Sequence, residues 1–479
     1  MPDPIKTDLC VIGAGSGGLS VAAAAAMMKV PVVLIEKDRM GGDCLNVGCV
    51  PSKALIAAGK HAAAMRDAVA FGFACVESKP AFNRVNAHVQ GVIAAIAPND
   101  SVERFTALGA QVIKGEARFK DRKTIVVGDQ EITARRIIIA TGSRPAIPPI
   151  EGLDRVPYLT NESLFDLTRK PARLVIIGAG PIGMEMAQAH ARLGCDVTVV
   201  EPFMLLARED QEAARVVQRE LERDGVIFRT HCKVTRVSGI AERLKVFITP
   251  SNGAVTGAEE VIDCSHILVA TGRKPSIDGL DLDKAGIAST QAGITVDKRL
   301  RTSNRKVYAI GDVTGPPQFT HRANYHAGLV LRHALFRLPV SASDAMIPRV
   351  TYTDPEIAAI GLSEGDAQKL GGNIRTIRWP FSENDRAQTD RRIEGFVKVM
   401  VDGKGKILGV VIVGHNAGEL LTPWTLAMSK GLKISAMAGI VFPYPTLSEA
   451  SKRAAIAYSL PQLKSPWLQR GLRFFRMFG

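Results

Sequence analysis

Aromatic residues are scarce: 5% of the 479 residues are Phe, Trp or Tyr, and only 3 are Trp. Lys and Arg are spread widely and form no Lys/Arg-rich run interleaved with aromatics, so a nucleic-acid surface is not expected although the formal net charge is +14. That charge leaves anionic small ligands or an anionic membrane surface as partners. Cysteine is too thin for a secreted disulfide scaffold, at 7 in the whole chain, and none follows Cys264. Gly 44 and Pro 26 are moderate and exclude collagen-like or low-complexity architecture. No run is apolar enough to span a bilayer. The uncharged Val11 to Met28 stretch imitates a signal-peptide core, but Asp3 and Asp8 flank Lys6 ahead of it. It also carries Gly13, Gly15, Gly17 and Gly18, which suit a strand, a tight turn and a helix better than one long helix. The cytoplasm is the expected location.

What is present is an α/β pattern. The length exceeds one ordinary core, so several domains are expected, and the 46% hydrophobic content suits stacked α/β layers. An apolar run, Thr7 to Ile12, leads into Gly13-Ala14-Gly15-Ser16-Gly17-Gly18, then a helix-forming stretch from Leu19. A second apolar run, Val32 to Ile35, ends on Glu36, 18 residues beyond Gly18. This is a βαβ unit with a G-x-G-x-x-G turn and a following acid, the spacing of a dinucleotide fingerprint. Glycine lets backbone approach a pyrophosphate at a helix N-terminus, and the acid can accept hydrogen bonds from a ribose.

The pattern repeats. Leu174 to Ile177 runs into Gly178-Ala179-Gly180-Pro181-Ile182-Gly183, followed by a helix, Val197 to Val200, and Glu201. One such motif is weak evidence; two in the same setting are strong. Ile137 to Ala140 running into Thr141-Gly142, and Ile267 to Ala270 into Thr271-Gly272, form a second matched pair. Val307 to Ile310 delivers Gly311-Asp312 at another strand end, a carboxylate poised for a polyol. From about Met346 the pattern becomes antiparallel strands: Val350 to Thr353, Thr376 to Trp379, Gly395 to Val401 and Ile407 to Val413. Helices follow around Ala417 to Lys430 and Ser448 to Ser459. The expected organisation is a nucleotide-binding domain at 1–147 with a return segment at 275–345, and a second nucleotide-binding domain at 148–274. A C-terminal α+β domain at 346–464 and a basic amphipathic tail at 465–479 complete it.

The densest chemistry lies in Gly41-Gly42-Asp43-Cys44-Leu45-Asn46-Val47-Gly48-Cys49-Val50-Pro51-Ser52-Lys53. Two cysteines this far apart stand about one turn apart on a helix, with Gly48 and Pro51 able to distort its first turn. A helix N-terminus favours a thiolate, and Lys53 falls on the face of Cys49. Zinc ligation would want a second Cys or His pair at short spacing, and none is visible. Ordinary core packing is the other alternative, and is the reading for Cys10, Cys75, Cys195, Cys232 and Cys264. Placed just after a dinucleotide unit, Cys44 and Cys49 read better as a redox disulfide beside a flavin. No metal site is expected.

These motifs together resemble the flavin-dependent pyridine nucleotide–disulfide oxidoreductases, most nearly dihydrolipoamide dehydrogenases and mercuric reductases, from about Thr7 to Ser459. The resemblance implies FAD in the first domain, a nicotinamide nucleotide in the second, and a C-terminal domain forming a homodimer whose partner completes each active site. It implies that Gly13, Gly15, Gly18, Glu36, Thr141, Gly142 and Asp312 hold FAD. Gly178, Gly180, Gly183 and Glu201, with Gly272 nearby, would hold the second nucleotide. Cys49 would be the flavin-proximal thiolate, Cys44 the thiol that exchanges with substrate, and Lys53 would pair with Glu185 near the flavin. A carboxylate at Glu201 suits a free ribose, so NADH is expected over NADPH. Electrons would pass from NADH through FAD to Cys44–Cys49 and on to a small disulfide or metal-ion acceptor.

The sequence departs from the pattern at several points. Tyr444, in Phe442-Pro443-Tyr444-Pro445 ahead of Glu449, stands where lipoamide-type relatives carry an acid/base His oriented by a Glu. A phenol, ordinarily near ~10, is a poor base at neutral pH. Tyr444 therefore resembles the mercuric reductases instead, or packs at a dimer interface. Those enzymes also carry a Cys-Cys pair near the C-terminus and a further N-terminal metal-binding domain, neither of which this sequence holds. Asp43 precedes the first Cys where Thr is usual; it is expected to raise the Cys44 pKa or to cap the following helix. The tail from Ser465 mixes Trp467, Leu468, Leu472, Phe475 and Phe478 with Arg470, Arg473 and Arg476, the pattern of a helix that lies weakly on a membrane surface, packs on its own domain or remains frayed.

Overall fold

The computed structural model describes residues 2–74, 79–251, 259–463 and 465–478. Cys75 lies outside them. The chain forms two compact units, 1–202 with 227–344, and 203–226 with 345–479.

The first unit holds both nucleotide folds. Strands Gln111–Lys114, Val32–Glu36, Ile5–Ile12 and Gln130–Ile139 lie in that order and run parallel, and Thr124–Val127 and Ala117–Phe119 extend the sheet antiparallel. Val307–Ala309 also pairs in parallel with Gln130–Ile139, Ala309 opposite Ile139. The return segment therefore belongs to the first sheet. Alternate faces bury Leu9, Val11 and Leu34 on one side and Cys10, Ile12 and Ile35 on the other, so the strands are apolar throughout. Helix Ser16–Met27 covers one face with Val21, Ala22 and Ala25. Its alanines let it pack closely against helix Thr320–Phe336.

The second nucleotide fold repeats this on four parallel strands, Ile227–Thr230, Asp196–Glu201, Arg173–Ile177 and His266–Val269. Helix Pro181–Arg192 starts with Pro181 in the first turn, where its missing N–H costs nothing. A three-stranded antiparallel meander, Cys232–Ile240, Arg243–Pro250 and Glu260–Cys264, adjoins it.

The second unit is a five-stranded antiparallel sheet in the order Arg349–Thr351, Glu356–Gly361, Ile407–Gly414, Phe396–Val401, Arg375–Pro380. Its helices bury Trp424, Leu421, Ala454 and Tyr458 against the sheet, and Trp424 Nε1 donates to Ser451 Oγ at 2.9 Å. Helix Gln211–Arg223, which the sequence pattern places within 148–274, belongs to this unit. The reason is electrostatic as well as apolar. Lys398 is buried in the sheet, and its Nζ meets Asp210 and Glu212 at 2.9 Å each, with Glu364 at 3.2 Å. Asp210 also caps the helix, accepting from Glu212 N and Ala213 N.

Candidate active site

The two glycine turns are built alike, atom for atom. Gly13 N donates to Ile35 O at 2.8 Å and Gly178 N to Val200 O at 2.9 Å. Both glycines adopt positive φ, 102° and 106°, and a Cβ on either would lie 2.5–2.6 Å from the carbonyl oxygen of Ala140 or Ala270. A Cβ at Gly18 would fall 1.8 Å from Gly13 O, and one at Gly183 2.0 Å from Gly178 O. These four glycines are fixed by packing of the turn itself. Gly15 and Gly180 differ: nothing lies within 4 Å of a Cβ there. That open side at a helix N-terminus is what a pyrophosphate needs. Gly142 and Gly272, at φ 70° and 138°, face open space in the same way.

The two acids match as well. Glu36 accepts the Ala14 N–H at 2.6 Å, and Glu201 accepts the Ala179 N–H at 2.8 Å. Each carboxylate is thereby tied to the middle of its glycine turn. Asp312 accepts the Ser143 hydroxyl at 2.7 Å, and burial pushes its carboxyl up. Thr141 turns its hydroxyl to Ser276 O at 2.7 Å. Turn, acid and open glycine face fit a dinucleotide in both folds.

The cysteines do not share one helix. Cys44 sits on the short helix Gly42–Asn46, and Cys49 opens the helix Cys49–Asp67. Gly48 breaks the chain direction between them, with φ −128° and ψ −112°, and its ideal Cβ would lie 2.8 Å from Asp43 O. The expectation of a single distorted helix is thus corrected to two helices hinged at Gly48. Both thiols are free, Cys49 exposed and Cys44 half-buried. The Cys44 thiol donates to Cys49, which raises Cys44 strongly and lowers Cys49 to about 6. Thr320, which opens helix Thr320–Phe336, places its hydroxyl 3.4 Å from Cys49 Sγ, and the Lys53 charge adds to the same bias.

Lys53 lies on the Cys49 helix and reaches Glu185 of helix Pro181–Arg192, Nζ to Oε2 at 2.8 Å. Glu185 is buried, so its charge is held by that partner in a low-dielectric setting. The structure therefore brings Cys44, Cys49, Lys53 and Glu185 together within the first unit.

Asp43 does not cap its helix. The N-cap is Gly41, with no side-chain cap bond, and the Asp43 carboxylate pairs with Arg273 at 2.9 Å and accepts from Asn161 Nδ2 at 3.2 Å. Arg273 also donates to the Ser143 hydroxyl, which in turn bonds Asp312. The like-charge effect of Asp43 on Cys44 is present, though it is the smallest of the named causes. Cys10, Cys195 and Cys264 are buried core residues, their thiols pushed up to about 12 by burial, and Cys232 is half-buried.

Tyr444 and Glu449 belong to the second unit. Tyr444 is exposed, and its hydroxyl donates to Asp385 Oδ2 at 2.9 Å, which raises its pKa further. Glu449 starts helix Glu449–Leu463 and pairs with Arg453 at 3.0 Å. Its partner is thus an arginine and not the phenol. Thr320, Asn161 and Asp385 carry no local signal in the sequence, whereas Ser143 and Arg273 directly follow the Thr141-Gly142 and Thr271-Gly272 strand ends.

Two matched nucleotide folds around one dithiol define a nucleotide-dependent redox enzyme. Residues 7–327 match the pyridine nucleotide-disulphide oxidoreductase model, and residues 347–455 match that family's dimerisation domain. The chain belongs to this family, which uses FAD and NAD(P) and acts as flavoprotein disulfide oxidoreductases. It is 37% identical over 475 residues to a dihydrolipoyl dehydrogenase of Thermus scotoductus, covering 94% of this chain and 97% of that one. It is 34% identical over 454 residues to a mercuric reductase of Lysinibacillus sphaericus, covering 94% and 82%. A solved structure of the HOCl-induced flavoprotein disulfide reductase RclA from Escherichia coli, a Cu(II) complex, superposes with a TM-score of 0.84 at 27% identity, covering 94% of this chain and 99% of that one. No helix among the described residues is long and apolar enough to cross a membrane.

Proposed function

We propose that the protein passes electrons from NADH, through FAD, to the Cys44–Cys49 pair and then to a small disulfide. The observation that carries this is the polarised dithiol: Cys49 is biased toward thiolate by Cys44, Thr320 and Lys53, and Lys53 is itself fixed by buried Glu185. FAD, held by Gly13, Gly15, Gly18, Glu36, Thr141, Gly142 and Asp312, supplies the two-electron relay. Gly178, Gly180, Gly183, Glu201 and Gly272 hold the nicotinamide nucleotide, and Glu201 disfavours a 2′-phosphate.

The acceptor half follows from the thiols. The Cys44 sulfur attacks one sulfur of the acceptor R–S–S–R as its own proton, held on it by burial and by the hydrogen bond to Cys49, passes to the leaving sulfur; the S–S bond breaks and one RSH leaves. Cys49 thiolate then attacks the Cys44 sulfur of the mixed disulfide. The Cys44–Cys49 bridge forms and the second thiol leaves. The acceptor is reduced by two electrons and the protein pair oxidised by the same two. Tyr444 and Glu449 are proposed to reach the exchange thiol from the partner in a homodimer, as the dimerisation-domain match supports. Held to Asp385, Tyr444 is a weak proton carrier at neutral pH, so lipoamide turnover is expected to be slow.

Tyr444 favours a second reading, in which the two thiols ligate and reduce a metal ion such as Hg(II); the relatives include mercuric reductases. The lack of any cysteine after Cys264 weighs against it. An anaerobic acceptor screen with NADH separates the two. Faster oxidation of the reduced protein by lipoamide or glutathione disulfide supports the first reading, and faster oxidation by Hg(II) the second.

A further inference from the structure

Helix Pro466–Phe475 has no role in the redox chemistry, and its apolar side chains are open to solvent. Along it, at ~100° per residue, Phe474, Trp467, Gly471, Phe475, Leu468 and Leu472 fall on one continuous arc of about 160°. Gln469, Arg470 and Arg473 occupy the opposite side. The apolar arc is open: Trp467 is 80% exposed, Phe475 70% and Leu472 52%. Phe474 lies 5.8 Å from Phe475 and 5.0 Å from Phe478 between ring centroids. Arg470 stacks over Trp467 at 5.6 Å.

The charge along this part of the sequence has one sign. After Glu449 the sequence holds no Asp or Glu, while Lys452, Arg453, Lys464, Arg470, Arg473 and Arg476 all carry positive charge. A second copy of the helix would bring arginines against arginines with no acid to offset them, so a self-complementary contact is disfavoured. A surface that is apolar inside and anionic outside satisfies both faces at once. Trp and Phe settle at the headgroup level, and the arginines meet anionic headgroups. We infer that residues 465–478 form a peripheral anchor that holds the enzyme on an anionic lipid bilayer. The inference is independent of which acceptor the dithiol reduces.

The test uses the full-length, flavin-loaded protein and sedimented vesicles, either pure phosphatidylcholine or phosphatidylcholine with about 30% phosphatidylserine. Binding to the phosphatidylserine vesicles should be at least tenfold tighter and should weaken with salt, as screening requires. The variant R470E/R473E/R476E should lose that difference. The variant W467S/F475S should weaken binding at ~0.15 M salt, where the charge contribution alone is screened. Both variants should keep their flavin content and NADH oxidation, because the helix lies outside the core. Equal partition onto both vesicle types, or R470E/R473E/R476E binding as well as the parent, would overturn the inference. So would a vesicle-free change in molecular mass caused by either variant, which would make the face a contact between copies of the chain.

Discussion

Replacing Cys44 by Ala removes the donor that most strongly lowers the Cys49 pKa. With the donor present, Cys49 titrates at about 6. At pH 7 roughly 90% of it is thiolate, against about 3% for an ordinary thiol near 8.5. Without the donor, burial still opposes the charge, and only Thr320 and Lys53 favour it. The Cys49 pKa should then rise by at least ~1 unit, which brings the thiolate at pH 7 to about 50% or less. The assay is the pH dependence of iodoacetamide labelling at Cys49 in reduced protein, read by peptide mass. Cys10, Cys195 and Cys264 are silent in this range, since their thiols titrate at about 12. Thr320→Val and Lys53→Met should give smaller rises, in that order. An unchanged midpoint near 6 in Cys44→Ala would refute the account of how the pair is polarised.

Four other outcomes follow. Because the folded-state pKa of Cys49 is lowered, its ionisation stabilises the reduced protein fully above the ordinary thiol pKa; that contribution should fade as pH drops through about 6, seen as a falling denaturation midpoint. Lys53→Met removes the ammonium that meets the buried Glu185 carboxylate at 2.8 Å and should cost about 1–2 kcal/mol in denaturant unfolding, discounted because Lys53 is partly exposed. Gly18→Ala should cut flavin content, whereas Gly183→Ala should leave flavin bound and raise the KM for NADH, since each Cβ meets a carbonyl at 1.8 or 2.0 Å. Glu201→Ala should lower the NADH-over-NADPH preference in kcat/KM about tenfold, the worth of one to two ribose hydrogen bonds.

Much of this could be read from the sequence because it is local. Strand, glycine turn, helix, strand and acid follow one another within about forty residues, and both copies fold as their spacing implies. Strand Glu356–Gly361 leaves no alternating pattern in the sequence, because its Ile357-Ala358-Ala359-Ile360 run is short, alanine-rich and buried on both faces. The break at Gly48 was hidden because a helical period continues across it. What the sequence could not carry is long-range placement. Thr320 meets Cys49 from 271 positions away, and Arg273 meets Asp43 from a strand end in the second nucleotide fold. Helix Gln211–Arg223 reads as part of its flanking strands, and contacts from distant strands, among them the buried Lys398, draw it into the other unit.

Electrons from NADH are expected to reach Cys44 and Cys49. Flavin-loaded, air-oxidised protein should be treated anaerobically with NADH, alkylated with iodoacetamide and digested for mass spectrometry. Labels appearing at both Cys44 and Cys49 only after NADH are the predicted result. Identical labelling of these two residues with and without NADH would contradict it.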